Sequence, residues 1–294
     1  MKEIFFATDE RYVPHLSVAI QSMLENGKGP YLIKVINGGI ALNDWEKLEA
    51  VVEKYEGSRI DSCFFDDRLL DGIKINHHFN KSNYFRLFIP EFTECDKVLY
   101  LDSDIVVESN VDEFFNYDID DYYVAAVENP GFMDHDRLYM SSSADYFNSG
   151  VMLINVKKWK IEKIGRRVVD FVNSEPERIA FVDQCGLNAI INGRWLKIPP
   201  KYNQQACIFE KNINLSCYIE SELEEAKKNP VVIHYTGSLK PWHFSNKHPY
   251  KKKYWHYRSK TDYRSYLSDD LNLFEFLKFY TPNFIKETIK KAFK

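Results

Sequence analysis

Strand-like apolar segments alternate with amphipathic helices at the start of the chain, and this order constrains the fold more than any other feature. The predicted strands cover residues 3–7, 32–36 and 59–65. The first intervening helix is expected to stop at Asn26-Gly27, and the second to begin at an Asn43 cap. Strand–helix–strand units of this length make right-handed crossovers between parallel strands. The sequence therefore predicts an α/β fold with a mostly parallel, Rossmann-like central sheet and helices on both faces.

Further strands are predicted in the middle and late parts of the chain. They cover residues 97–101, 122–127, 150–155 and 231–235, whereas the segment 200–230 receives no assignment. Runs such as residues 151–154 are apolar on both faces, which is typical of central strands in a covered sheet. No linker rich in Pro, Gly or Ser interrupts the first 245 residues. We therefore expect one domain over residues 1–245 and a C-terminal helical extension over residues 246–294.

Charge distinguishes these two parts. Residues 246–294 carry 12 Lys and Arg against 5 Asp and Glu, a surplus of +7, so the total of −4 leaves −11 for residues 1–245. An acidic body argues against nucleic acid as a partner. In the extension, the basic and aromatic stretch 271–293 is typical of an interfacial helix on an anionic membrane. A helix docked on the domain is the alternative.

The cysteines and the apolar runs indicate the compartment. The five cysteines include no C-x-x-C pair, which indicates neither a disulfide framework nor a zinc site. The apolar residues 4–7 are too short for a signal peptide, and no run approaches the roughly 18 residues of a membrane span. We expect a cytoplasmic protein, either soluble or peripheral on the inner face of the membrane through residues 247–294.

Two carboxylates follow the predicted central strand 97–101, namely Asp102 and Asp104, with Ser103 between them. This position is the carboxyl edge of the sheet, where open α/β folds bind ligands. Two carboxylates there can hold a hard divalent cation and leave positions open for phosphate oxygens and water. Asp-x-Asp is a common sequence, however, and a polar turn that closes the strand is the alternative interpretation.

A second cluster follows the late strand 231–235. It combines His234, a neutral metal ligand, with Gly237, which permits close backbone approach, and Lys240, a cation suited to phosphate. A lone histidine at a strand end is more often structural. The spacing of His234 from Gly237 and Lys240 favours a functional role instead: the three residues together could complete a carboxylate site and neutralise a diphosphate.

In their order along the chain, these motifs resemble those of glycosyltransferase family 8. That family comprises retaining nucleotide-sugar transferases, including bacterial lipopolysaccharide galactosyl- and glucosyltransferases and glycogenin. The resemblance covers roughly residues 3 to 245. The motifs that carry it are Phe6-Ala7-Thr8-Asp9 with Tyr12, Tyr84-Phe85-Arg86-Leu87, residues 99–104, residues 147–155 with Trp159, Asp183-Gln184, Tyr202-Asn203, and residues 234–237 with Lys240-Pro241-Trp242. The resemblance implies a type-A glycosyltransferase fold and a single nucleotide-sugar-binding catalytic domain.

The resemblance also implies roles for individual residues. It makes Asp102, Asp104 and His234 the ligands of Mn²⁺, with Mg²⁺ as the second choice, at the phosphates of a UDP-sugar. The implied donor-binding residues are Ala7, Thr8, Asp9 and Tyr12 at the nucleoside, Arg86 and Asn148 at the sugar, and Ser103, Gly237 and Lys240. The alternatives are a helix N-cap at Thr8 or Asp9, a solvated helix arginine at Arg86 and a turn asparagine at Asn148.

By the same resemblance, Gln184 faces the anomeric carbon of the donor. Retention by double displacement would need a carboxylate at that position, so the implied mechanism is front-face attack by the acceptor, with the leaving phosphate as base. Asp183 would orient the donor sugar, and it could also cap a helix over residues 184–191. The segment 128–143 lies where the family builds an acceptor-covering loop, and nothing in it matches.

The expected activity is therefore metal-dependent transfer of glucose or galactose, with retention, to a saccharide hydroxyl. The acceptor stays open among lipopolysaccharide, another glycolipid and a cell-surface glycan. Two other classes are weighed against this interpretation. An aspartate-nucleophile phosphohydrolase also places Asp-x-Asp after an apolar strand, but its later acidic motif is missing from the sequence. A non-catalytic nucleotide-sugar binding protein would not need the acidic pair together with His234 and Gln184.

Overall fold

The structure is a computed structural model that describes residues 1–70 and 81–268, together with residues 270, 271 and 281. The strands are β1 (Lys2–Thr8), β2 (Tyr31–Asn37), β3 (Arg59–Phe64), β4 (Lys97–Leu101), β5 (Ile105–Val107), β6 (Val124–Glu128), β7 (Phe147–Asn155), β8 (Leu196–Lys197), β9 (Gln204–Gln205) and β10 (Val232–His234). The α-helices are α1 (Val13–Asn26), α2 (Leu42–Val52), α3 (Val156–Ile161), α4 (Ile164–Ser174), α5 (Val182–Ile191), α6 (Glu220–Lys228) and α7 (Lys251–Arg258). A 3₁₀ segment, Lys81–Phe92, precedes β4.

The strands form two sheets. The large sheet has seven strands in the order β3-β2-β1-β4-β7-β6-β8, and the small sheet has the order β5-β10-β9. In the large sheet, β7 alone runs antiparallel to its described neighbours β4 and β6, while the other pairs are parallel. The predicted mostly parallel sheet is confirmed. The first three strands begin and end within one residue of their predicted bounds, whereas β7 begins at Phe147, three residues before the predicted start.

Helices cover both faces of the large sheet, as the sequence predicts. Because side chains alternate along a strand, Ile4 and Phe6 of β1 pack with α1 and α2 on one face. Phe5 packs with α3, α4 and α5 on the other face. All three side chains are fully buried, and truncation of a buried phenylalanine to alanine costs about 3–5 kcal/mol.

Two predicted helix caps are wrong. Helix α2 begins at Leu42 after Ala41, whose carbonyl accepts hydrogen bonds from two following N–H groups, so Asn43 lies inside the helix. Helix α5 begins at Val182, which places Asp183 in its first turn and not at a cap. The Asp183 carboxylate is bound by Arg86 and a serine hydroxyl instead, because tertiary partners outcompete the local capping hydrogen bond.

The unassigned segment 200–230 contains β9 and α6, and the start of the predicted extension packs on the domain. Tyr254 and Tyr257 of α7 join a hydrophobic cluster with Val18 of α1 and Ile233 of β10. Across the described ranges, every helix is too short or too polar to cross a bilayer. Apart from residues 271 and 281, the predicted interfacial stretch 271–293 lies outside the described residues.

Candidate active site

The acidic pair lies where the chain leaves the large sheet for the small one. Strand β4 ends and β5 begins on either side of residues 102–104, which form the whole connection. Strands β5 and β10 pair antiparallel in a register that sets His234 opposite Ile105. The N–H of Tyr235 donates to the carbonyl of Asp104 at 3.1 Å. Backbone pairing between distant segments therefore brings the two carboxylates and the imidazole together.

Asp102, Asp104 and His234 form a cluster that could hold a metal ion. One potential ligand atom of each lies within 4.8 Å of the others. His234 Nε2 is 3.7 Å from Asp102 Oδ2 and 3.4 Å from Asp104 Oδ1. Its Nδ1 is 2.9 Å from the side-chain oxygen of Asn203, which leaves Nε2 directed at the carboxylates. Two carboxylates and one imidazole suit a divalent ion of the Mn²⁺ type, so the donor set fits the predicted metal.

Gly150 of β7 makes room for this cluster. A Cβ at this position would lie 2.3 Å from His234 Cε1 and 2.5 Å from Asp102 Oδ2, closer than side-chain contacts allow. A residue with any side chain would therefore displace two of the three potential ligands. Gly150 was not among the predicted site residues, although a glycine inside a strand is itself a signal of close approach.

Lys240 places a positive charge against the acidic pair. Its ammonium group forms an ion pair with Asp104 and donates to the carbonyl of Tyr235 at 2.9 Å. Although burial opposes ionisation of Asp104, the ammonium group of Lys240 holds the pKa of that carboxyl below its usual range. Burial likewise opposes the charge on Lys240, but Asp104 raises the pKa of the ammonium. Lys240 is therefore charged and directed at the position where an anionic group would meet the acidic pair.

Arg86 is buried between two carboxylates, so the solvated alternative is wrong. Its guanidinium lies 3.0 Å from Asp102 Oδ1 and 3.1 Å from Asp183 Oδ2, above the ring of Tyr100. It also donates to the carbonyl of Ser149 at 2.9 Å. Burial raises the pKa of Asp183 to about 6, even though Arg86 acts in the opposite direction. Arg86 therefore fixes both carboxylates relative to each other.

Gln184 is held at both ends of its amide. Its Oε1 accepts hydrogen bonds from the Asn148 amide and the Ser149 N–H, each at 3.1 Å. Its Nε2 donates to the hydroxyl of Tyr146 at 3.3 Å. The side chain is buried and has one defined orientation, which is what a positioning or dipolar role requires.

Two cavities meet at the acidic pair, with volumes of about 600 and 420 Å³. The predicted residues at the first are Ala7, Thr8, Asp9, Tyr12, Arg86, Asp102, Ser103, Asp104 and Lys240. Those at the second are Arg86, Asp102, Asp104, Asn148, Asp183, Gln184, His234, Gly237 and Lys240. The structure thus gathers every predicted site residue around one divided cleft. Such a cleft suits a molecule with two bulky halves joined by an anionic linker.

The first cavity also shows what the sequence interpretation missed. Asp9 caps a 3₁₀ turn by accepting from the N–H of Arg11 at 3.1 Å, so the capping alternative holds there. Tyr12 is partly exposed and packs edge-to-face on Trp242, whose ring stacks on His15 at 3.4 Å. His15 lines the cavity but carries no signal in the sequence, because a histidine at helical spacing is indistinguishable from a core residue.

Comparison with known proteins agrees with this arrangement. The profile of the family described as Glycosyl transferase family 8 matches residues 3–246. The chain is 32% identical to General stress protein A of Bacillus subtilis over 89% of its own length and 94% of that protein. It is 28% identical to the lipopolysaccharide glucosyltransferase WaaO of Escherichia coli, over 82% of its own length and 72% of WaaO.

The chain spans between 30% and 66% of the length of five glycosyltransferases of Streptococcus pneumoniae that it also matches. Among solved structures, galactosyltransferase LgtC in complex with donor and acceptor sugar analogs superposes with a TM-score of 0.78 at 24% identity. That match covers 88% of this chain and 96% of LgtC. The structural likeness supports the type-A glycosyltransferase fold.

Proposed function

The chain belongs to glycosyltransferase family 8, and we propose that it transfers glucose or galactose from a UDP-sugar, with retention, to a hydroxyl of a saccharide acceptor. The observation that carries the proposal is the divided cleft, whose two cavities meet at Asp102 and Asp104, with His234 beside them in the second cavity. A nucleoside on one side, a hexose on the other and a diphosphate between them match that shape. Membership of this family argues against the two alternatives, a phosphohydrolase and a non-catalytic binding protein.

Under this proposal the nucleoside occupies the first cavity and the hexose the second. Asp9 and Tyr12 then offer a hydrogen-bond acceptor and an aromatic face to the nucleoside, beside Ala7 and Thr8. Arg86, Asn148 and Asp183 contact the hexose, and Ser103 contacts the donor between the two. Gly237, with a φ of +88°, allows the backbone near Lys240 to approach the diphosphate.

We propose that Asp102, Asp104 and His234 hold Mn²⁺, with Mg²⁺ as the second candidate. When bound, the ion supplies positive charge that stabilises the departing diphosphate. Gly150 leaves room for the three ligands, because it has no side chain. Lys240 adds a second positive charge next to the oxygens of the diphosphate.

The second cavity supports front-face attack. Gln184 is an amide whose oxygen already accepts two hydrogen bonds, so it makes a poor nucleophile. Asp183, the carboxylate beside it, is held in an ion pair with Arg86 and accepts from the Ser149 hydroxyl at 3.2 Å. We propose that Asp183 orients the sugar and that the leaving phosphate accepts the proton of the acceptor hydroxyl.

For the acceptor we propose a glycan, with lipopolysaccharide or another glycolipid as the first class to test. The relative WaaO is named a lipopolysaccharide glucosyltransferase, which supports this class of acceptor. We further propose a catalytic domain over residues 1–245, a cytoplasmic location and a peripheral membrane contact through residues 247–294. Residues 251–258 pack on α1, so the contact would involve the residues beyond them.

Release of UDP tests the donor and the metal together. The purified chain is incubated with UDP-glucose or UDP-galactose, with Mn²⁺ and with or without a chelator, and UDP is measured. We expect slow release from one donor, and only with metal. Asp104→Asn should abolish release, while Asp121→Asn, which changes an exposed carboxylate away from the cleft, should not. Release that persists in the chelator, or in Asp104→Asn, would contradict the proposal.

A further inference from the structure

We infer that Asn203 is a positioning residue that fixes the tautomer of His234 and links the metal-binding cluster to Gln184. The inference deepens the proposed function and rests on it for the identity of the metal. Asn203 is 1% exposed, lies in a 3₁₀ turn immediately before β9, and was not a predicted site residue.

Two backbone N–H groups of β7, which can only donate, fix the orientations of two side-chain amides. The N–H of Gly150 donates to Asn148 Oδ1 at 3.0 Å, and the N–H of Ser149 donates to Gln184 Oε1 at 3.1 Å. The atoms that face these donors must therefore be the amide oxygens and not the amide nitrogens. The orientations of the Asn148 and Gln184 side chains follow from the backbone of β7, without any observed hydrogen atom.

The orientation of Asn203 follows from that of Asn148. Asn148 Oδ1 accepts, so the atom of Asn203 that lies 2.9 Å from it must be the NH₂ group. The Oδ1 of Asn203 then faces His234 Nδ1 at 2.9 Å. An amide oxygen only accepts, so Nδ1 of His234 carries the proton. In the neutral ring Nε2 then carries the lone pair, and it faces Asp102 and Asp104.

Burial makes this arrangement hard to reverse. A flipped Asn203 would set its side-chain oxygen against Asn148 Oδ1, which already accepts from the N–H of Gly150. His234 and Asn148 are only 3% and 7% exposed, so water has little access as a substitute partner. Buried polar groups without a partner are disfavoured. The chain of hydrogen bonds continues from Asn148 Nδ2 to Gln184 Oε1 at 3.1 Å and from Gln184 Nε2 to the Tyr146 hydroxyl. The metal ligand and the amide at the sugar cavity are thus positioned by one continuous network.

Two readouts on Asn203→Ala test the inference. The first is the tautomer of the neutral His234 ring in metal-free protein, read from the nitrogen chemical shifts of labelled histidine rings, which also distinguish the neutral ring from the doubly protonated one. We expect the Nδ1–H form in the native chain and a mixture of tautomers in the variant. The second is Mn²⁺ affinity, measured by electron paramagnetic resonance of the free ion. Loss of a group that orients a metal-ligating histidine weakens affinity by about 10–100-fold, and we expect a loss in that range.

Two further variants separate positioning from stability. Asn155→Ala removes another buried asparagine, which bonds to Ile119 and Lys158 and touches none of the cluster. It should leave Mn²⁺ affinity unchanged. Asn203→Asp keeps an acceptor for Nδ1–H but cannot donate to Asn148, so we expect the native tautomer with slower donor hydrolysis. This variant also carries the test if Asn203→Ala does not fold.

An Nε2–H tautomer in the native chain would overturn the inference. So would Mn²⁺ affinity in Asn203→Ala within twofold of native, or an equal loss in Asn155→Ala. The tautomer measurement needs neither metal nor donor. A native chain with the expected tautomer but no UDP release would therefore count against the proposed donor and leave the role of Asn203 at His234 standing.

Discussion

The substitution Gly150→Ala tests the architecture of the cluster of Asp102, Asp104 and His234 that we propose to bind the metal. Its new methyl group would lie 2.3 Å from His234 Cε1, about 1.2 Å short of the roughly 3.5 Å at which two carbon atoms make contact. It would also lie 2.5 Å from Asp102 Oδ2. His234 is buried and Asp102 is held by Arg86, so neither side chain can simply swing away. Either the imidazole or the backbone of β7 must therefore move by about an ångström.

A displacement of this size should reduce activity much more than it reduces stability. Misplacement of a reacting or binding group by about 1 Å costs on the order of 100-fold in rate. Overpacking of a buried site costs about 1–3 kcal/mol of stability, which leaves a domain of this size folded. We therefore expect Gly150→Ala to unfold cooperatively at a lower temperature, with metal-dependent UDP release reduced by about two orders of magnitude.

The assays are Mn²⁺ binding, UDP release at saturating Mn²⁺ and thermal unfolding. Gly131→Ala is the matched control, because its methyl group would meet nothing closer than Asn129 Oδ1 at 3.5 Å, and it should bind Mn²⁺ as the native chain does. Mn²⁺ binding and UDP release by Gly150→Ala within about twofold of the native chain would show that the cluster tolerates a side chain at this position.

Three further outcomes are expected. Arg86→Ala leaves the buried Asp183 and the partly exposed Asp102 without their cation, so denaturant unfolding should show a loss of about 3–5 kcal/mol, and an unchanged midpoint would contradict the role of Arg86. Burial raises the pKa of Asp183 to about 6, and the carboxyl is neutral below that pH, so donor turnover should fall as the pH drops through 6. In Asp183→Asn that acidic limb should be absent from the pH profile. Lys240→Ala should slow UDP release in the presence of Mn²⁺ while the variant still folds, and an unchanged rate would exclude Lys240 from diphosphate stabilisation.

The long periodic elements could be predicted from the sequence because their pattern is local. Strands β1 to β3 repeat apolar residues over six or seven positions, and their predicted bounds differ from the structure by one residue at most. Strands β8 and β9 have two residues each, too few to show a period. Their positions depend on pairing with β6 and β10, which the sequence near them does not encode.

The burial of Arg86 could not be predicted, for a similar reason. Its partners Asp102 and Asp183 lie on other elements, and nothing near residue 86 distinguishes a buried arginine from a solvated one. Asn203 was visible only as part of a motif. Its role follows from hydrogen bonds to His234 and Asn148, which exist only after the two sheets have come together.

The charges in the cleft explain why the proposed diphosphate donor would need a metal. Asp102, Asp104 and Asp183 supply three negative charges, and Arg86 and Lys240 supply two positive charges in contact with them. With the imidazole counted as neutral, this cluster carries a net charge of −1 and would repel an anionic diphosphate. A divalent cation changes the sum to +1. Arg86 is committed to the carboxylates on both of its sides, so the attraction for the diphosphate depends on Lys240 and on the ion that the acidic pair can hold.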